Sequence, residues 1–173
     1  MTIHTPKIAI LVEDLYQVLE VWYPYLRLRE EAIEVKLIGT GTKDTYGSKE
    51  GYPAKVHTSI NEVKVSDFDG VIIPGGYAPD ILRRFPKVNE FVRDCDKAGK
   101  VVACICHGGW VLVSAGILKN RKVTCFCAIK DDLIAAGAHY LDQEVVVDGN
   151  LITSRKPEDL TAFTLAIVNK LKI

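Results

Sequence analysis

Cys106 ends an apolar run, Val101-Val102-Ala103-Cys104-Ile105-Cys106, and His107-Gly108-Gly109 follows at once. This is the pattern of a buried strand that turns directly into a helix, with a nucleophile at the junction. The tight turn lifts the side chain above the sheet. Small residues must follow where the helix start packs against neighbouring backbone, and Gly108 and Gly109 supply them. A helix N-terminus offers unpaired amides and a partial positive charge, which favour a thiolate. The chemistry expected is attack by the Cys106 sulfur on an electrophilic carbon, with amides of Gly75, Gly76 and His107 holding the oxyanion. The competing reading is a small buried hydrophobe, the ordinary state of a free cysteine. Cys104, two residues earlier, is read as core.

Two further groups belong to the same edge if the sheet is parallel. Pro74-Gly75-Gly76-Tyr77-Ala78-Pro79-Asp80 closes another apolar run with a Gly-Gly turn that lets amides approach a reacting group. It reads equally as a tight strand-to-helix turn with Asp80 helping to start the helix. Glu13, Asp14 and Gln17 lie just past the first strand, as site residues or as simple caps. The pairs Cys104-x-Cys106 and Cys125-x-Cys127 raise the question of zinc. Alternating strand residues converge poorly on one ion and no ligand histidine is near, so no metal is expected. His4, His57 and His139 read as surface or loop residues, and no cofactor is implied.

The elements that must position these residues alternate. Lys7–Val12, Ile33–Ile38, Gly70–Ile73, Lys100–Ile105 and Lys122–Phe126 read as strands. Asp14 is the expected N-cap of a helix running to about Glu31, kinked at Pro24. Residues 39–53, rich in glycine, read as loop or irregular hairpin. Val88, Phe91, Val92, Cys95 and Ala98 mark a helix stopped by Gly99. Helices also follow at His107–Ala115 and Asp131–Ala136. Val145–Val147 and Leu151–Thr153 flank the hairpin turn Asp148-Gly149-Asn150. A last helix starts near Pro157 with a buried stripe of Leu160, Phe163, Ile167 and Leu171. Strand and helix in alternation imply an α/β domain with a mainly parallel sheet covered on both faces, and ligands at the carboxyl ends of its strands.

The 173 residues are expected to form one domain, 1–173, large enough to bury a core without disulfides or metal. Lys plus Arg number 22 and Asp plus Glu 22, which argues against nucleic acid and against a polybasic membrane anchor as partners. No apolar run approaches the roughly 18 residues of a membrane helix, and Ile8–Val12 is too short for a signal-peptide core. The five cysteines are read as free thiols in a reducing, cytoplasmic compartment.

Several blocks in order, Ile73-Pro74-Gly75-Gly76-Tyr77-Ala78-Pro79-Asp80, Ala103-Cys104-Ile105-Cys106-His107-Gly108, Ser114–Leu118, Ile129–Asp132, Glu144–Asn150 and Ser154–Pro157, resemble the ThiJ/PfpI superfamily. The resemblance is to its intracellular-protease-like branch; DJ-one-like deglycases belong to the same superfamily. It implies a flavodoxin-like three-layer α/β/α sandwich and a reactive Cys106. It also implies a triad of Cys106, His107 and Asp80, the acid coming from a neighbouring subunit of a homodimer or hexamer. By position, the family's acidic partner of the cysteine falls on Gln17, which cannot move protons, with Glu13 as a substitute. Tyr77 stands where arginine is frequent, and Phe126 where the protease branch has tyrosine. The implied activity is a thiol-dependent, peptidase-like hydrolase, or a glyoxalase or deglycase acting on small carbonyls. The alternatives are a redox or stress sensor using an exposed thiol of low pKa, and a chaperone. A glutamine amidotransferase would need a His-x-Glu pair near the chain's end, where Ser154–Glu158 has no histidine.

Overall fold

In the computed structural model, residues 4–172 are described. The strands are β1 (Lys7–Val12), β2 (Glu34–Gly39), β3 (Thr45–Gly47), β4 (Pro53–Lys55), β5 (Thr58–Ser59), β6 (Gly70–Ile73), β7 (Val101–Ile105), β8 (Lys122–Val123), β9 (His139–Tyr140), β10 (Val145–Asp148) and β11 (Leu151–Ser154). The helices are α1 (Val18–Glu30), α2 (Ala78–Leu82), α3 (Pro86–Lys97), α4 (Gly109–Ala115), α5 (Lys130–Ala135) and α6 (Leu160–Leu171).

Seven strands form one sheet in the order β10-β11-β7-β6-β1-β2-β5, parallel except for the β10–β11 hairpin. Alternation along each strand divides its side chains between two cores. Ile8, Ile10 and Val12 of β1 pack with Ala103, Ile105, Phe163 and Ile167 on the side of α1 and α6. Ala9 and Leu11 pack with Val102, Cys104, Val111 and Leu112 on the side of α3 and α4. Both faces are covered, so the central strands carry unbroken apolar runs rather than alternating ones. The result is a flavodoxin-like three-layer α/β/α sandwich.

Three local expectations are corrected. Asp14 does not cap α1. It accepts from the Gly47 amide and pairs with Lys43, while Gln17 is the N-cap, its Oε1 accepting from the Glu20 amide at 3.0 Å. The expected strand at 122–126 stops after Val123, because the Thr124 amide is taken by the Thr153 hydroxyl at 2.9 Å. That short strand pairs with β9 in a separate two-stranded sheet. The predicted helix at His107 begins as a 3-10 turn, Cys106–Gly108, before α4. The glycine-rich stretch is the hairpin β3–β4, and α1 continues through Pro24 to Glu30. Among the described residues no helix is long and apolar enough to cross a membrane.

Candidate active site

The chain leaves β1 toward β2 on one side and returns to β6 on the other, so the strand order reverses between β1 and β6. Ligand sites of open parallel sheets form at such a point, beyond the carboxyl ends of the strands. The loop after β1 and the turn after β6 are sewn together there. The Gln17 amide donates to the Gly75 carbonyl at 3.2 Å and the Tyr77 amide to the Leu15 carbonyl at 2.9 Å. Gly76 has φ +80°, and a Cβ there would lie 2.4 Å from the Leu15 carbonyl oxygen. No side chain fits.

β7 delivers Cys106 to this place. Its φ is +60°, a left-handed conformation that is uncommon outside glycine and clusters at functional positions. A Cβ on Gly108 would sit 2.5 Å from the Ile73 carbonyl oxygen, so glycine is what allows the turn to press against the end of β6. The strained turn also lets neighbouring side chains converge. Cys106 Sγ lies 3.2 Å from His107 Nδ1. The imidazole is stacked on Phe126, centroids 5.0 Å apart, and meets the edge of Trp110 at 5.2 Å. Amides of His107 and Gly76 point at the sulfur.

The carboxyl group at this cysteine belongs to Glu20, not to Gln17 or Glu13. Glu20 is fully buried in the first turn of α1, and its Oε2 accepts from the Gly75 amide at 2.6 Å. Its Oε1 is buried without a protein partner. Glu20 and Cys106 crowd the bare Cα of Gly75: a Cβ there would be 2.6 Å from Glu20 Oε2 and 3.1 Å from Cys106 Sγ. Burial pushes the Glu20 carboxyl up to about 7, against the pull of the Gly75 amide, Cys106 and the Lys49 charge. Burial and then Glu20 push the Cys106 thiol up to about 12, against the His107 and Gly76 amides. Two anions cannot share this pocket cheaply, so Cys106 and Glu20 do not ionise together, and burial pushes the sulfur toward its thiol form. The thiolate expected from a helix N-terminus is therefore corrected. The dipole of a single 3-10 turn and the short α4 does not outweigh burial beside a carboxyl. Burial, with Lys49, also lowers His107, leaving it a neutral base.

Above the sulfur opens a cleft of about 400 Å³. Gln17, Tyr77 and Phe126 line it, as do Glu20, Lys49, Trp110 and Pro157, which sequence reasoning missed. Glu20 left one trace: an acid on the otherwise apolar start of α1, one helical turn past Gln17. Lys49 left none, since it arrives from the β3–β4 hairpin. Glu13 is turned away from the cleft and accepts from the Thr40 hydroxyl and the Asp14 amide. Asp80, on α2, pairs with Arg84 within the chain and does not line the cleft. Cys104 is buried on the opposite face of the sheet. Cys125 is buried and Cys127 exposed, beside a separate cleft with Tyr140 and Arg155. Among the described residues no group of His, Cys, Asp or Glu is arranged to hold a metal.

A model of the DJ-1/PfpI family matches residues 6–170. The chain belongs to the DJ-1/PfpI family. Among its relatives is a Pyrococcus furiosus protein named Deglycase PfpI, 44% identical over 166 residues, 96% of this chain and 99% of that one. An Escherichia coli relative named Protein/nucleic acid deglycase 2 is 40% identical over 159 residues, 91% of this chain and 92% of the relative. A crystal structure of a two-domain Anabaena variabilis protein with DJ-1/ThiJ/PfpI-like and ferritin-like domains superposes with a TM-score of 0.95 at 41% identity. The match covers 97% of this chain and 48% of that protein, so this DJ-1/PfpI chain spans about half of the Anabaena molecule.

Proposed function

We propose that the protein is a cysteine-dependent enzyme of the glyoxalase or deglycase type. Its substrate is a small 2-oxoaldehyde, free or as its adduct with an amine. The observation that carries this reading is Glu20, a buried carboxyl tuned to neutral pH beside Cys106. A group half ionised at the working pH is suited to both taking and returning protons. Glu20 takes the thiol proton as sulfur attacks the aldehyde carbon; the new oxygen is held by neighbouring amides and receives that same proton back from Glu20, which leaves a hemithioacetal and a carboxylate. Glu20 then removes the proton from the former aldehyde carbon and delivers it to the adjacent carbonyl carbon through an enediol. The product is a thioester of a 2-hydroxy acid. Water cleaves it and restores the thiol. From an amine adduct the amine leaves with its proton, so the sum is adduct plus water to 2-hydroxy acid plus amine. The family names of the P. furiosus and E. coli relatives support the same reading.

A second reading, a peptidase-like hydrolase, is favoured by the 3.2 Å contact between Cys106 and His107. It needs an acid for His107 from a neighbouring subunit, the role of Asp80. One experiment separates the two: consumption of methylglyoxal and release of lactate, alongside hydrolysis of fluorogenic peptides. Cys106→Ser is expected to abolish carbonyl turnover, and Glu20→Gln to lower kcat by about 10²–10⁴ without abolishing alkylation of Cys106. Full carbonyl turnover by Glu20→Gln, or peptide hydrolysis with no carbonyl turnover in the wild type, would overturn the first reading.

A further inference from the structure

The cleft over Cys106 contains a positive charge that the proton chemistry does not use. Lys49 lines it, on the hairpin between β3 and β4. The backbone of that hairpin is fastened to the loop after β1. The Lys49 amide donates to the Tyr16 carbonyl at 3.0 Å and the Leu15 amide to the Gly47 carbonyl at 2.7 Å. The Tyr16 hydroxyl, on a fully buried ring, donates to the Tyr52 carbonyl at 2.7 Å. The lysine is therefore delivered to the cleft by a pinned segment, although its side chain is exposed. Among the described residues no carboxylate lies within ion-pair distance of its ammonium group. Among the described residues Glu20 is the only acidic side chain lining the cleft, and its Oε2 is committed to the Gly75 amide. The field of Lys49 reaches both Glu20 and His107, and Glu158, outside the lining, opposes it at Glu20.

We propose that Lys49 selects substrates whose reacting carbonyl carries a nearby carboxylate, such as adducts of a 2-oxoaldehyde with a free carboxyl-bearing thiol or amine. One ammonium, with no second lysine or arginine among the described residues lining the cleft, suits a monoanion better than a phosphate, which is ordinarily held by several donors. Tyr77, Trp110, Phe126 and Pro157 supply the apolar wall along which the uncharged part of such a substrate lies. This deepens the carbonyl reading by naming its substrate class, and it is a statement about the field at Cys106 that can be read without turnover.

Cys106 is alkylated with iodoacetate and with iodoacetamide, reagents of similar size that differ in charge, and the modified peptides are followed by mass spectrometry. A change in the Cys106 thiolate fraction alters both rates alike, and the greater protonation of Glu20 and His107 that follows loss of Lys49 would raise the iodoacetate-to-iodoacetamide ratio, so a fall in that ratio reports the charge of Lys49 itself. The ratio is expected to fall about threefold to tenfold in Lys49→Gln and further in Lys49→Glu. It is expected to hold in Lys49→Arg, and the difference to shrink in high salt. The ratio at the exposed Cys127 serves as the reference. Turnover supplies the second arm: kcat/KM for the methylglyoxal hemithioacetal of N-acetylcysteine over that of its amide should exceed one in the wild type and lose that preference in Lys49→Gln. An alkylation ratio unchanged by Lys49→Gln, or equal turnover of acid and amide by the wild type, overturns the proposal. Absence of all carbonyl turnover with the alkylation ratio as expected would instead remove the enzymatic reading and leave the anion preference standing.

Discussion

At the scale of single residues the site turns on one carboxyl group. Gln17 occupies the position where an acid was anticipated, yet it serves α1 as its cap, and one turn later Glu20 points into the pocket. Burial of Glu20 carries a cost with a definite pH signature. Between its unfolded value of 4.5 and about 7 the folded chain keeps a proton that the unfolded chain has released. Stability contributed by this group therefore falls as pH rises through that window, by about 3 kcal/mol in all. Glu20→Gln, which keeps the shape and an acceptor for the Gly75 amide, lacks this dependence. Thermal or urea unfolding from pH 4.5 to 8 should show the mutant gaining on the wild type as pH rises, with the gap levelling above neutrality. A gap that does not change with pH would mean that Glu20 titrates normally. Other carboxylates are common to both proteins and cancel in the difference.

At the scale of elements, two turns and a helix start are held at distances that only bare backbone permits. Gly108 brings the turn after β7 against the Ile73 carbonyl at the end of β6, and Gly76 brings the turn after β6 against the loop after β1. Gly108→Ala is expected to cost about 1–3 kcal/mol through overpacking against backbone that cannot yield. It should also lower the alkylation rate of Cys106 relative to Cys127, because the turn that aims the sulfur must open. Denaturation midpoints together with the two alkylation rates check this, and a variant with wild-type values of both would show the contact to be slack. The pattern strand-Cys-His-Gly-Gly was legible for a physical reason: steric demand at a sharp turn is written in consecutive residues. The limits of β8 and the cap of α1 were not, because the Thr124 amide and Asp14 are claimed by groups distant in the chain, Thr153 and the Gly47 amide.

At the scale of the whole molecule, the two cores on either side of the sheet sort the cysteines. Cys95 and Cys104 are buried in one core and Cys106 borders the other, while Cys127 is exposed. Native-state treatment with iodoacetamide should modify Cys127 and, through the cleft, Cys106. Cys95, Cys104 and Cys125 should react only on unfolding. Peptide mass spectrometry reads this directly, and equal labelling of all five in the native state would contradict the burial. The same sorting bears on the sensor reading, which expected an exposed thiol of low pKa. Cys106 is 8% exposed and burial with Glu20 pushes its thiol up, both of which work against the exposed, low-pKa thiol that reading expected. The order of strands and helices, the apolar runs that must be covered on both faces, and the turn that carries Cys106 were all determined by local sequence, since periodicity and steric demand act between near neighbours. Which acid meets the sulfur, which cation enters the cleft and whether the thiol ionises were decided only by the tertiary structure. Those depend on burial and on contacts between residues separated by up to about ninety positions, from Glu20 to Cys106, and no local pattern records either.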